Sequence, residues 1–256
     1  MERPCRPHRL KGLKGGDLLL GNYDVAVKVW GDLACFTRPE FKVERVTYRV
    51  MTPSAARGVL EAIFWKPEFR WEIREIWILN PIEELVVMRN EIDSRQSADT
   101  ASFVVEERRQ QRTGLFLKNP SYLIFADIRL KKETEHPKRK YTEQFLRRAE
   151  RGRCHHQPYL GTRECSAYFS LPQGDEKPVS TSITIGNMLF DIAYCQSSER
   201  TDMSFFRHED NTASVVYGFA QPLFFYAKVE KGVMRVPWDK YEELYRLEGV
   251  HVKGIS

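Results

Sequence analysis

Residues 69–79, FRWEIREIWIL, set large apolar side chains against charged ones in a period-two pattern. Such a pattern suits a β-strand that buries one face. Pro81 closes this strand, and Lys66-Pro67 closes the helical stretch before it. That helix starts at Pro53-Ser54-Ala55-Ala56, with Ser54 as the expected N-cap, and Val59, Leu60, Ile63 and Phe64 recur at helical spacing. Upstream, residues 23–30 (YDVAVKVW) are rich in β-branched and aromatic side chains and read as a strand. A loop over 31–44 and a short extended piece over 46–50 lead into the helix.

Downstream, residues 115–117 and 122–130 (YLIFADIRL) read as strands that pair through a connection at Lys118-Asn119-Pro120-Ser121. Between them and the first strand pair lie a polar stretch around Arg89-Asn90-Glu91, a loop over 94–102 and a charged run, EERRQQR, at 106–112. Residues 141–152 predict a helix with a basic face, closed by Gly152. A turn at 158–161 and a strand at 163–169 follow. The order β-α-β-β-α-β is that of a ferredoxin-like (RRM-type) domain, here residues 23–170. Beyond it, short strands at 183–185, 188–195, 215–217, 223–229 and 233–236 predict a C-terminal antiparallel β-sheet region, 171–256. Glu230-Lys231-Gly232 makes a hairpin turn there, and the tail from Trp238 predicts a short helix. The expected class is α+β. Residues 1–22 are basic and aperiodic and read as a flexible leader.

At 256 residues and 42% apolar content the chain can bury one substantial core. It has no apolar run of about 18 residues, so no membrane partner is expected. The leader's apolar run at 18–20 is too short for a signal peptide, so a cytoplasmic location is expected. The cysteines at 5, 35, 154, 165 and 195 are odd in number and widely spaced, which speaks against a disulfide framework. Cys154-His155-His156 with Cys165 offers zinc-ligand types, but adjacent histidines rarely reach one metal and the two-residue knuckle spacing is missing. Buried or surface thiols are the ordinary reading, and neither metal nor cofactor is expected.

The net charge of +5 is small, but its distribution is uneven. Residues 131–153 contain nine Lys/Arg and four Glu, so this one segment carries an excess equal to the whole net charge. A local basic patch attracts phosphates. A solvated helix face with a basic loop is the competing explanation. The nucleotide-binding, zinc-hydrolase and serine-hydrolase motifs are missing from the sequence. RNA, however, brings its own nucleophile. Cleavage by a 2′-hydroxyl needs a base, a cation for the phosphorane and an acid for the leaving oxygen. The stretch HPKRKY, residues 136–141, carries His, Lys, Arg and Tyr just before the basic helix. An ordinary phosphate-holding or solvated loop would look the same.

Several segments together resemble one family: VKVWGDLACFTRPEFKVERVTYRV (27–50), TPSAARGVLEAIFWKP (52–67), ILNPI (78–82), MRNE (88–91), RQQR (109–112), PYLGTREC (158–165) and PLFFYAKVEKGVMRVP (222–237). The chain is similar, over about residues 23–240, to the family-five CRISPR-associated proteins of type I-C systems, the Dvulg-type guide-RNA-processing subunits. The resemblance implies a subunit that cuts each CRISPR repeat 3′ of its hairpin without metal. It then holds the 5′ handle of the guide RNA (crRNA) beside the large subunit and a backbone subunit, meeting target DNA only indirectly.

The family's catalytic positions fall at Phe64, where Tyr or His is usual, and at a Lys-His pair that aligns with Arg139-Lys140, followed by Tyr141. The sequence departs from the pattern at all three positions. Arg139 still suits the phosphorane, Lys140 the leaving oxygen, and His136 or Tyr141 would compensate for the rest. The alternative is a non-catalytic handle-binding subunit. For RNA binding, the candidates are Arg38, Lys42 and Arg45 in the first loop, Arg57 on the first helix, Arg89, and Arg147 and Arg148 on the second. Each could equally serve a structural ion pair. Phe64 and Trp65 more often belong to a core than to a stacking platform.

Overall fold

The computed structural model describes residues 22–41, 43–92, 105–132, 134–209 and 212–253. The strands and helices are β1 Val25–Trp30, β2 Leu33–Ala34, α1 Pro53–Ile63, β3 Phe69–Ile78, β4 Glu83–Ile92, β5 Arg109–Lys118 and β6 Ser121–Leu130. They continue with α2 Lys138–Glu150, β7 Tyr168–Ser170, β8 Ile183–Gln196, β9 Met203–Glu209, β10 Thr212–Glu230, β11 Val233–Arg235 and α3 Asp239–Glu248.

The alternation that begins at Phe69 slips by one residue at Arg74-Glu75, where two charged residues stand together. The backbone carries a bulge at that point: Ile73 pairs with Ala126 and Glu75 with Phe125, leaving Arg74 unpaired. The bulge restores the phase, so Phe69, Trp71 and Ile73 before it and Ile76 and Ile78 after it are all buried.

The main sheet runs β7-β1-β6-β3-β11-β10-β8, with β9 added on β10. Its first four strands are antiparallel in the order β7-β1-β6-β3, and α1 and α2 supply the two crossovers. This is the ferredoxin-like arrangement expected from the sequence. The C-terminal strands are also antiparallel, and they continue the same sheet because β11 pairs with β3. Helix α2 docks Phe145 edge-on against Trp71, with ring centroids 4.9 Å apart. Helix α3 sets Tyr241 against Phe190 on β8 at 4.8 Å.

Several local expectations change. The strands at 115–117 and 122–130 do not pair. Both edges of β6 are taken by β1 and β3, while β5 joins β2 and β4 in a separate three-stranded sheet. Asn119, at φ 47°, turns the chain between the two sheets. The polar stretch around residue 89 is the strand β4, which keeps most of its side chains exposed. Thr52 rather than Ser54 caps α1, accepting from the Ala55 N–H at 3.2 Å, because Pro53 takes the first helical position. That helix stops at Ile63, and Phe64 is already extended. The second helix begins at Lys138, so most of HPKRKY forms its first turn.

The two strand pieces expected between 183 and 195 are one strand, β8, and those between 215 and 229 are one strand, β10. The last ferredoxin strand is only β7, and β9 was not expected. The turn at Lys231-Gly232 is present, with φ 48° and 77°. The expected loop at 94–102 and nearly all of the 1–22 leader lie outside the described residues.

Candidate functional site

Phe64 follows the last turn of α1 and is buried. Its ring lies 5.7 Å from that of Phe69, which in turn lies 5.2 Å from Tyr141 in the first turns of α2. Tyr141 is 2% exposed. Its hydroxyl is buried without a hydrogen-bond partner, as is one carboxylate oxygen of Glu68. Burial first, then the Glu68 charge, push the Tyr141 phenol above its ordinary value, so it keeps its proton at neutral pH. The Lys140 ammonium sits 5.8 Å from the Tyr141 ring centroid. Arg139 is largely exposed and reaches along the helix to Glu143 at 2.5 Å. His136 is exposed and lines a cavity shared with Glu68 and Phe69. The fold thus gathers Phe64 and Tyr141 around Phe69, with the exposed Lys140 beside the Tyr141 ring, His136 on the neighbouring cavity wall and Arg139 on the outer face.

The first turn of α2 is electrostatically unusual. Lys138, Arg139 and Lys140 occupy the positive end of the helix dipole, the turn has no acidic residue, and Pro137 offers no side-chain cap. Lys138 is relieved by Asp24 at 2.9 Å. An anion placed here would meet both the cations and the uncapped N–H groups.

The RNA-binding candidates divide by their partners. Arg45 and Arg89 both reach Glu164, Arg89 at 2.7 Å. Both also approach Glu91, at 3.5 and 3.3 Å, and Arg112 joins them at 3.7 Å. Burial alone would raise the Glu164 carboxyl. Its own backbone N–H and the Arg89 and Arg45 guanidiniums outweigh this and hold it below the usual carboxylate range. Segments MRNE, RQQR and PYLGTREC therefore meet in one network of three arginines and two glutamates. Gly161 fits there at φ 90°, where a Cβ would come within 2.0 Å of the Cys35 carbonyl oxygen. Reading residues singly missed Arg112, Glu91 and Glu164, although all three stand in the quoted motifs.

Arg38 pairs with Glu40 at 2.7 Å and lies over the Tyr48 ring at 5.2 Å. Lys42 lies outside the described residues. Arg57 is engaged by Asp191 through two hydrogen bonds, of 2.7 and 2.8 Å, and by Glu61 at 2.9 Å. Arg148 donates from Nε to the Ile63 carbonyl at 2.7 Å, which closes the end of α1. Arg147 is exposed. Among the described residues, no group of three or more His, Cys, Asp or Glu side chains is placed to hold a metal ion. Among the described residues, no helix is long and apolar enough to cross a membrane.

These features define an α+β protein with a ferredoxin-like half, a cationic helix start and an arginine network on a second, small sheet. The family model for the CRISPR-associated protein (Cas_Cas5) matches residues 24–237, and the chain belongs to that family. The CRISPR pre-crRNA endoribonuclease Cas5d of Thermus thermophilus is 51% identical over 228 residues, covering 89% of this chain and 97% of that one. The protein of the same name from Mannheimia succiniciproducens is 37% identical, covering 87% and 98%. Among solved structures, a CRISPR-associated protein superposes with a TM-score of 0.57 at 19% identity, covering 84% and 92%. SMU1763c of Streptococcus mutans does so with 0.56 at 18% identity, covering 84% and 93%. Both share the fold.

Proposed function

We propose that this chain binds CRISPR repeat RNA, cuts it through the ribose 2′-hydroxyl without metal, and keeps the 5′ handle of the crRNA inside a type I-C complex. The single observation that carries this reading is the uncapped, wholly cationic first turn of α2 set beside Tyr141 and the Phe64 position. The relatives' name, at 51% and 37% identity over most of the chain, supports the same activity. The partners are the crRNA, the large subunit and a backbone subunit. Target DNA is met only through the guide, and the protein works in the cytoplasm.

The phosphate sits at the start of α2, where Arg139 and the helix N–H groups stabilise the phosphorane charge. His136 takes the 2′-hydroxyl proton, and the 2′-oxygen attacks phosphorus. Lys140 protonates the departing 5′-oxygen, leaving a 2′,3′-cyclic phosphate and a 5′-hydroxyl. Tyr141 stays protonated and supports Lys140 through its ring face. Arg38 and Arg147 hold the RNA backbone. Arg45, Arg57, Arg89 and Arg148 serve the fold.

Phe64 has no proton to transfer and the Tyr141 hydroxyl is buried, which favours a second reading as a handle-holding subunit without cleavage. End-group analysis of repeat RNA incubated with the protein in EDTA separates the two. A cyclic phosphate at one site supports cleavage, and intact RNA held tightly by the protein supports the second reading.

A further inference from the structure

Beside the family positions lies an open cavity of about 1030 Å³. Its walls come from the start of β3, the approach to α2, strand β9 and the end of α3. Trp65, immediately after Phe64, and His136, shortly before Arg139, both line it. Trp65 is 41% exposed, and its indole meets the His208 ring edge-on at 5.1 Å. Phe206, 70% exposed, lines the same space. The wall is braced: Arg70 pairs with the Glu248 carboxylate at 2.7 Å, and Arg207 donates to the Glu248 carbonyl at 2.6 Å.

Open aromatic rings and histidines converging on one cavity suit a flat, polar-edged ring system. Single-stranded RNA is read in this way: an unstacked base lies on an aromatic ring while polar side chains meet its edge. The volume is ample for a base with its ribose and phosphate. Two of the lining residues, Trp65 and His136, stand along the chain next to the Phe64 position and three residues before Arg139, which sets the nucleotide inside near the scissile bond.

We propose that this cavity takes one unstacked nucleotide of the repeat RNA, with Trp65 as its stacking platform and His208 as a hydrogen-bonding partner. The proposal rests on the RNA reading above and adds a subsite to it.

The test is an abasic scan. Repeat RNAs that each lack one base are measured for binding to the full chain and to its Trp65→Ala and Phe206→Ala variants. One position within about two nucleotides of the mapped cut is expected to lose affinity roughly tenfold when its base is removed. Trp65→Ala is expected to lose as much on intact RNA, and the two changes together no more than either alone. Losses that multiply at every position contradict the cavity. So do unchanged affinities for both variants while the wild type still binds and cuts the repeat, which would leave the RNA reading standing. A wild type that binds no repeat RNA overturns both.

Discussion

Arg148 Nε donates to the Ile63 carbonyl oxygen at 2.7 Å, tying α2 to the last turn of α1. The bond joins the two helices that carry the family positions, since Phe64 follows Ile63 and Lys140 lies two turns before Arg148. The backbone N–H of His155 takes the adjacent Ala62 carbonyl at 2.7 Å, so the end of α1 is held from two sides.

Arg148→Met keeps the side-chain stem and removes the donor. A hydrogen bond from a charged group contributes about 1.5–3 kcal/mol, and here its loss also orphans a helix-end carbonyl. For a chain of this size, at about 2–4 °C per kcal/mol, the melting temperature should fall by about 3–12 °C. Arg147→Met, on the exposed side of the same helix, should change stability by less than about 0.5 kcal/mol. Calorimetry of both variants checks the contrast.

Glu164 makes a pH signature. Its folded carboxyl lies below the ordinary value of 4.5, so its ionised form favours the folded state. That contribution is present above the ordinary value and is lost as pH falls through the lower folded one. The wild type should therefore unfold at lower urea as the pH drops below about 4.5. Glu164→Gln should show a smaller loss over the same window and a lower midpoint at neutral pH.

Salt dependence separates phosphate contacts from structural arginines. Neutralising a side chain that contacts one phosphate of single-stranded RNA lowers the slope of log K against log salt by about 0.7. Arg147→Gln, on the exposed face of α2, should do so, whereas Arg45 and Arg89, engaged by Glu91 and Glu164, should behave more like structural arginines. Arg57→Gln, whose guanidinium is engaged by Asp191 and Glu61, should cost stability and leave the slope unchanged for the folded fraction.

Much of the ferredoxin half was legible because its strands bury one face and its helices bury a stripe. Even the bulge at Arg74 is written as two adjacent charged residues. Strand β4 was hidden because most of its side chains are exposed and none is fully buried, which weakens the apolar alternation that marks a strand. Strand β10 looked like two pieces because Gly218, Gln221 and Pro222 interrupt its apolar pattern, yet it is one strand that pairs first with β9 and then, across two bulges, with β8. The start of α2 looked like a loop because Pro137 stands where a capping side chain is usual. The HPKRKY pattern and the family position Phe64 meet through Phe69, whose ring lies against those of both Phe64 and Tyr141. The roles of Arg57 and Arg148 depend on Asp191 and Ile63, partners far away in the chain that no local spacing announces. The cavity was equally hidden, because Trp65, His136 and His208 meet only once β9 is folded against the start of β3.

The most direct measurement is cleavage of the protein's own repeat RNA in EDTA, run beside Lys140→Ala and beside RNA with a 2′-deoxy sugar at the cut. The account predicts one cut that persists in EDTA, vanishes with the 2′-deoxy sugar and slows by roughly 10²–10⁴-fold in Lys140→Ala, the range for losing an acid–base group. A cut that survives the 2′-deoxy substitution, or a wild type that binds the repeat and leaves it whole, contradicts it.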